Sequence, residues 1–253
     1  MEKPIVFKNK RGKQLIGILH LPETKGKFPL VIICHGFGGT KSKIKFVDLS
    51  RTLLKKGIAS FRFDFEGCGD SEGSMKNITL KNQVSDLKIV MKNICRIKGI
   101  DKKRIAILGN SLGSAVVAYF TKENTSYFKI LVFWAPALNQ KDIISKMFSK
   151  KEIEIIKKDR YIAIKEKIIG IKYFNENKDK DYSELFSKFN SPVFIAHGTK
   201  DEKVSIEFSK KLAKKFSNIK FKEYKRACHK FEDYLSRQEL IKDTSNMFIK
   251  YLK

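Results

Sequence analysis

No apolar run in this sequence approaches the roughly 20 residues that a helix needs to cross a bilayer. The first ten residues, MEKPIVFKNK, lack the apolar centre of a secretory signal. Cysteine is scarce and unpatterned. Cys34, Cys68, Cys95 and Cys228 form no C-x-x-C pair, and no histidine stands at metal-ligand spacing among them. No metal site is therefore expected, and free thiols in a reducing, cytoplasmic compartment are. Internal repeats and low-complexity tracts are absent as well. Acid is the remaining deficit. With 27 Asp+Glu against 53 Lys+Arg the formal charge is +26, enough to attract nucleic acid or an anionic membrane. The lysines form no single block, however, and lie scattered over helix faces and loops. No nucleic-acid-binding motif accompanies them, so neither specific nucleic-acid binding nor membrane attachment is expected.

What is present is ample apolar material in a regular rhythm. The 253 residues are 42% hydrophobic, enough for one α/β domain with a substantial core and too much for a disordered chain. Residues 4–8 and 14–21 read as a leading hairpin around Lys10-Arg11-Gly12-Lys13. Pro29–Cys34 is apolar throughout, the sign of a strand buried on both faces. Further strands are expected at Ile58–Phe65, Ile105–Asn110, 128–134, Pro192–Ala196 and 220–227. Helices are expected between them at 43–56, 79–98, after Ser111, at 205–217 and at 231–252. Such alternation predicts an α/β fold: a mostly parallel central sheet with helices on both faces, in a single domain spanning 1–253. Residues 137–187 break the rhythm. They are charged, and only Tyr161–Ile164 with Ile168–Tyr173 suggest a small hairpin. This stretch reads as a cap inserted over the sheet, the alternative being a mobile surface loop.

The chemistry concentrates at the strand ends. Ile105-Ala106-Ile107-Leu108 runs into Gly109-Asn110-Ser111-Leu112-Gly113 and then into a helix rich in small residues. Strand, Gly-x-Ser-x-Gly, helix is the context of a nucleophile elbow, which pushes a serine Oγ out above the sheet. The same pentapeptide can also be a plain small-residue turn. Asp201 follows another expected strand and His229 a third, in the order Ser…Asp…His. An imidazole can take the serine proton, and a carboxylate can hold that imidazole in the right tautomer. Three such residues, each at a strand end, support one another where each alone is weak. Asp201, for one, also fits a turn start or the cap of the following helix. The loop His35-Gly36-Phe37-Gly38-Gly39 follows the first buried strand, so the backbone N–H groups of Phe37 and Leu112 are the expected oxyanion donors. His35 and His197 read as structural, and His20 carries no signal.

The segments HGFGG, RFDFEGCGDSEG, GNSLGS, HGTKDEKV and CHKF resemble the α/β-hydrolase superfamily over nearly the whole chain. More narrowly they are similar to small bacterial cinnamoyl (feruloyl) esterases, relatives of the prolyl-oligopeptidase-like hydrolases. The resemblance implies an α/β-hydrolase fold with Ser111 as nucleophile, Asp201 as acid and His229 as base. It implies backbone oxyanion donors at Phe37 and Leu112, and no cofactor. Two features depart from that pattern. The elbow reads Gly-Asn-Ser-Leu-Gly where cinnamoyl esterases usually have Gly-His-Ser-Gln-Gly, and the cap differs. The expected activity is that of a serine carboxylesterase on small to medium esters, aromatic or short-chain acyl esters among them. A peptidase or acyltransferase using the same triad, and a non-catalytic basic interaction protein, are the alternatives. Trp134, at the end of its strand, and Tyr173, in the insertion, are the expected substrate contacts.

Overall fold

Strands that are apolar on both sides require a layer of side chains on each, and the sheet of this protein is built that way. The computed structural model describes residues 1–123 and 127–253. Its first half runs β1 (Glu2–Lys8), β2 (Gln14–His20), β3 (Phe28–Cys34), α1 (Ile44–Lys55), β4 (Ala59–Phe63), α2 (Leu80–Ile94), β5 (Ile100–Asn110) and α3 (Leu112–Thr121). Then come β6 (Leu131–Trp134), α4 (Gln140–Met147), α5 (Lys150–Asp159), β7 (Tyr161–Ile164), β8 (Lys167–Gly170) and α6 (Ile171–Asn177). The chain closes with β9 (Val193–Lys200), α7 (Ile206–Lys215), β10 (Ile219–Cys228) and α8 (Tyr234–Leu252). Eight strands form one sheet in the order β1-β2-β4-β3-β5-β6-β9-β10. Only the pairings of β2 with β1 and β4 are antiparallel, so the sheet is mostly parallel as expected.

Period-two alternation sends neighbouring residues of each strand to opposite layers. Leu30, Ile32 and Cys34 of β3 join Ile105 and Ile107 of β5 in one core, under α2 and α3. Val31 and Ile33 join Ala106, Leu108 and Trp134 in the other, under α1 and α8. The parallel strands from β4 to β10 all end on one edge of the sheet. The loops after β3, β5, β9 and β10 therefore converge there, as open α/β sheets require of a site at their carboxyl ends.

Residues 137–187 hold α4, α5, the antiparallel β7–β8 hairpin, α6 and a short 3-10 helix at Ser183–Lys188. Ser149 and Glu152 form a reciprocal capping box that starts α5. The segment is not a loose loop. Ile144, Phe148, Ile156, Tyr173 and Phe174 are buried and continuous with the core beneath α2 and α3. The hairpin differs from expectation in its second strand. β8 stops at Gly170, and Ile171–Tyr173 are already helical. Gly170 lies flat on the backbone of Lys76, where any Cβ would meet the Lys76 carbonyl oxygen at 1.9 Å. That contact requires glycine at the end of β8.

Candidate active site

The elbow is a local consequence of small residues between a strand and a helix. Ser111 has φ 54° and ψ −121°, a conformation costing on the order of 1–3 kcal/mol for a non-glycine residue. Its surroundings hold it there. The Ser111 N–H donates to the Trp134 carbonyl at 2.9 Å, and the Ser111 carbonyl accepts from Ala137 N–H at 3.2 Å. Asn110, buried, donates from Nδ2 to the same Trp134 carbonyl at 3.1 Å. This is what the elbow's asparagine does: it ties the end of β5 to the end of β6. The flanking glycines are sterically required. A Cβ on Gly113 would stand 2.4 Å from the Cys34 carbonyl oxygen, and one on Gly109 would stand 2.7 Å from that of Gly113.

Three side chains meet above this turn. His229 Nε2 lies 3.1 Å from Ser111 Oγ, and His229 Nδ1 lies 2.7 Å from Asp201 Oδ2. The Asp201 side chain is fully buried and every acceptor site is used. Oδ1 accepts from the N–H groups of Lys203 and Val204, each at 2.9 Å. Oδ2 also lies 3.0 Å from Nε2 of His197, whose Nδ1 is 2.8 Å from Ser209 Oγ. Burial pushes the Asp201 carboxyl up, but the hydrogen bonds from His197 and His229 outweigh it and hold the group well below the usual carboxylate range. Burial pushes His229 below the ordinary imidazole value, with Lys45 and Lys203 adding to the fall and Asp201 opposing it. A neutral imidazole between a carboxylate and a hydroxyl is the protonation state a general base needs.

The loop after β3 lies against Ser111. A Cβ on Gly36 would come within 2.9 Å of Ser111 Cβ and 3.4 Å of Oγ. The N–H groups of Phe37 and Leu112 donate to no atom among the described residues, leaving both donors free. His35 anchors the loop: its Nδ1 lies 2.8 Å from the Gly36 carbonyl, and its Nε2 accepts from Phe65 N–H at 3.1 Å. Burial lowers its pKa to about 4, so it stays neutral in this structural role. The loop exit is fixed by Lys41, whose N–H and Nζ both reach the buried Asp64 at 2.6 Å. From the hairpin, Lys167 Nζ donates to the Phe37 carbonyl at 2.6 Å.

The two expected substrate contacts fare differently. Trp134 is fully buried on the far face, stacked on Phe46 at 5.9 Å with Nε1 donating to Thr244 of α8. It contributes its carbonyl to the elbow but offers no side chain to a ligand, so that expectation is corrected. The reason is alternation: in β6 it is Phe133 that faces the insertion, 5.1 Å from Phe186. Tyr173 stands beside the loop after β3, its ring 4.8 Å from that of Phe37 and its hydroxyl donating to Gln140 Oε1 at 2.7 Å. The sequence reading missed Lys45. Nearly buried, its Nζ sits 5.6–5.7 Å from the rings of Phe46, Trp134 and Phe231. Burial, aided by Lys43, lowers its pKa to about 7. No pattern in Lys43-Ile44-Lys45-Phe46 distinguishes which lysine points inward. All four cysteines are free. Among the described residues no cluster of three or more His, Cys, Asp or Glu side chains is placed to hold a metal. No helix among them is long and apolar enough to cross a membrane.

Residues 27–159, more than half of the chain, match the family model described as serine aminopeptidase, S33. In structure the chain is similar to Est1E from Butyrivibrio proteoclasticus, solved with ferulic acid bound, with a TM-score of 0.86 at 22% identity over 98% of each chain. It is also similar to an esterase of Pyrococcus furiosus, with a TM-score of 0.75 at 16% identity over all of this chain and 92% of that one. Likeness at these identities carries the fold alone. Among curated relatives, the quorum-quenching protein AidA of Acinetobacter baumannii is 30% identical over 100 residues, which is 39% of this chain and 33% of AidA. An uncharacterized 31.7 kDa protein of Escherichia coli, from the traX-finO intergenic region, is 32% identical over 97 residues, 38% of this chain and 34% of that protein. The match thus spans about a third of the length of these relatives.

Proposed function

We propose, from the premise that the chain belongs to this serine aminopeptidase family and has the α/β-hydrolase fold, that it is a serine carboxylesterase working through Ser111, His229 and Asp201. The observation that carries the reading is the joined pair of contacts from Ser111 Oγ to His229 Nε2 (3.1 Å) and from His229 Nδ1 to Asp201 Oδ2 (2.7 Å). In the first step Ser111 Oγ bonds to the ester carbonyl carbon as its proton passes to Nε2. The carbonyl oxygen becomes an oxyanion within reach of the Phe37 and Leu112 amides. Collapse of this intermediate breaks the bond to the alcohol oxygen, which takes the proton from Nε2. A water then gives its proton to Nε2 and attacks the acyl-serine, releasing the acid and restoring Oγ–H. Asp201 keeps Nδ1 protonated throughout and stabilises the imidazolium.

Phe37 and Tyr173 are proposed to wall the acyl side, with residues 137–187 acting as the cap that sets acyl preference. Est1E, solved with ferulic acid, supports including aromatic acyl groups in the substrate range. The family's description favours one other reading, an aminopeptidase. Such an enzyme must hold a free ammonium, and the carboxylate joined to the serine through His229, Asp201, is committed to two histidines and two amides. Ester cleavage has no such requirement. The deciding experiment is hydrolysis of p-nitrophenyl esters of graded acyl length, beside methyl ferulate and an aminoacyl p-nitroanilide, by the wild type and by Ser111→Ala. Ester turnover lost in a folded Ser111→Ala protein is expected. Turnover of the anilide alone would establish the peptidase instead.

A further inference from the structure

Lysines from four separate segments stand beside the triad residues and the loop after β3. Lys43 immediately precedes α1, just past the oxyanion loop, and Lys167 reaches over that loop from the hairpin. Lys203 sits in the turn closed by Asp201, and Lys230 follows His229. They are near enough to act on one another. Burial first, and then the charges of Lys203, Lys43 and Lys230, lower the Lys167 pKa to about 8. Lys43 is lowered in the same way by burial and by Lys230 and Lys203. Carboxylates balance this group only in part. Glu232 pairs with Lys230 at 3.2 Å and opposes the fall at Lys43. Glu202 is exposed and makes no ion pair among the described residues, and neither do Lys43, Lys167 or Lys203. Elsewhere several lysines are drawn into pairs, such as Lys210 with Glu207 and Glu223, or Lys222 with Glu239 and Asp243. Like charges held together at a mouth repel one another until an anion arrives among them.

We infer that this lysine rim selects esters whose alcohol portion carries a negative charge and holds that charge beside His229. The side of the substrate follows from position. The acyl carbonyl belongs at the Phe37 and Leu112 amides, whereas the leaving oxygen takes its proton from His229 Nε2. Lys230 follows that histidine in the chain, and Lys203 donates its backbone N–H to the carboxylate that holds it. The inference rests on the triad reading only for which bond breaks.

The test compares 4-butyryloxyphenylacetate with its neutral amide, whose methylene insulates the leaving oxygen from the change of charge. At low ionic strength the wild type is expected to favour the anionic ester in kcat/KM by about tenfold or more, mainly through KM, from several weak cation contacts acting together. Raising ionic strength from about 0.01 M to about 0.15 M should shrink that preference as the screening length falls. Replacing Lys43, Lys203 and Lys230 together by Gln should bring the ratio toward one. Lys167 is left intact because it holds the Phe37 carbonyl. The control replaces Lys98, Lys102 and Lys103 by Gln. They are exposed in the turn before β5 and at its start, on the opposite edge of the sheet, so this removes the same charge and should keep the ratio. A wild-type ratio near one, or equal loss in both triple variants, overturns the inference. Calorimetric binding of both esters to Ser111→Ala protein gives a measure independent of turnover: tighter binding of the anionic ester supports the rim, and equal binding refutes it. If the wild type cleaves neither ester while that preference persists, the triad reading falls and the rim stands.

Discussion

Replacing Asp201 by Asn changes one atom, and the hydrogen bonds around it dictate which way the new amide must face. Oδ1 accepts from the N–H groups of Lys203 and Val204 at 2.9 Å each. Placing the NH2 group there would oppose donor to donor and leave two backbone N–H groups unpaired, at about 1–3 kcal/mol apiece. The amide oxygen therefore stays at the Oδ1 position and the NH2 group faces His229 Nδ1 and His197 Nε2. His229 must then accept at Nδ1 and carry its proton on Nε2, pointing at Ser111. An imidazole in that tautomer cannot take the serine proton. The expected result is a fall in kcat of about four orders of magnitude with a small change in KM. Because the contacts from Lys203 and Val204 N–H survive and the chief loss is that between His197 Nε2 and the Val204 carbonyl, the far-UV spectrum should stay close to wild type and the unfolding midpoint should fall only modestly. Steady-state hydrolysis of p-nitrophenyl butyrate, followed beside thermal unfolding, reads both. A folded Asp201→Asn protein that kept more than about a tenth of wild-type kcat would refute the tautomer argument and the role given to His229.

The pH profile follows from the same site. His229 must be neutral to act, and burial lowers its pKa, so kcat/KM should rise with pH through a midpoint below the ordinary histidine value of 6.5. Lys45 pushes that midpoint down while it is charged, so Lys45→Met should move it upward; an unchanged midpoint would remove Lys45 from the electrostatics of the base. Asp64→Ala strips the buried Lys41 ammonium of its buried partner and should cost about 3–5 kcal/mol in urea unfolding. Only the exposed Asp70 then remains to Lys41. Gly113→Ala forces a Cβ to 2.4 Å from the Cys34 carbonyl oxygen and should cost about 1–3 kcal/mol or more; a stability equal to wild type would mean that the elbow is looser than its geometry. Tyr173→Ala opens space beside Phe37 and should shift preference toward longer acyl groups, each added methylene contributing roughly 0.8 kcal/mol when buried. An unaltered chain-length series in folded Tyr173→Ala protein would put the acyl pocket elsewhere.

The parts legible in the sequence are those set by neighbours along the chain. Apolar runs such as Leu30–Cys34 and Ile105–Leu108 mark strands buried on both sides, because no other short element hides every residue. The elbow was legible because its cause is local: Gly109 and Gly113 are small where strand and helix backbones come together. Strand ends were legible too, and a parallel sheet carries Ser111, Asp201 and His229 to one edge, so their meeting follows from topology. What a strand buried on both faces cannot reveal is which face each residue takes. That depends on register against its neighbours, and it is why Trp134 goes under α8 while Phe133 turns toward the insertion. The need for glycine at 170 comes from a distant backbone, that of Lys76. Likewise, the sharing of Asp201 between His229 and His197 needs two strand ends placed in space. Charge shows the division most clearly. Along the chain the lysines are scattered, and only folding brings 43, 167, 203 and 230 to one mouth, because electrostatic potential follows distance in space and not separation in sequence.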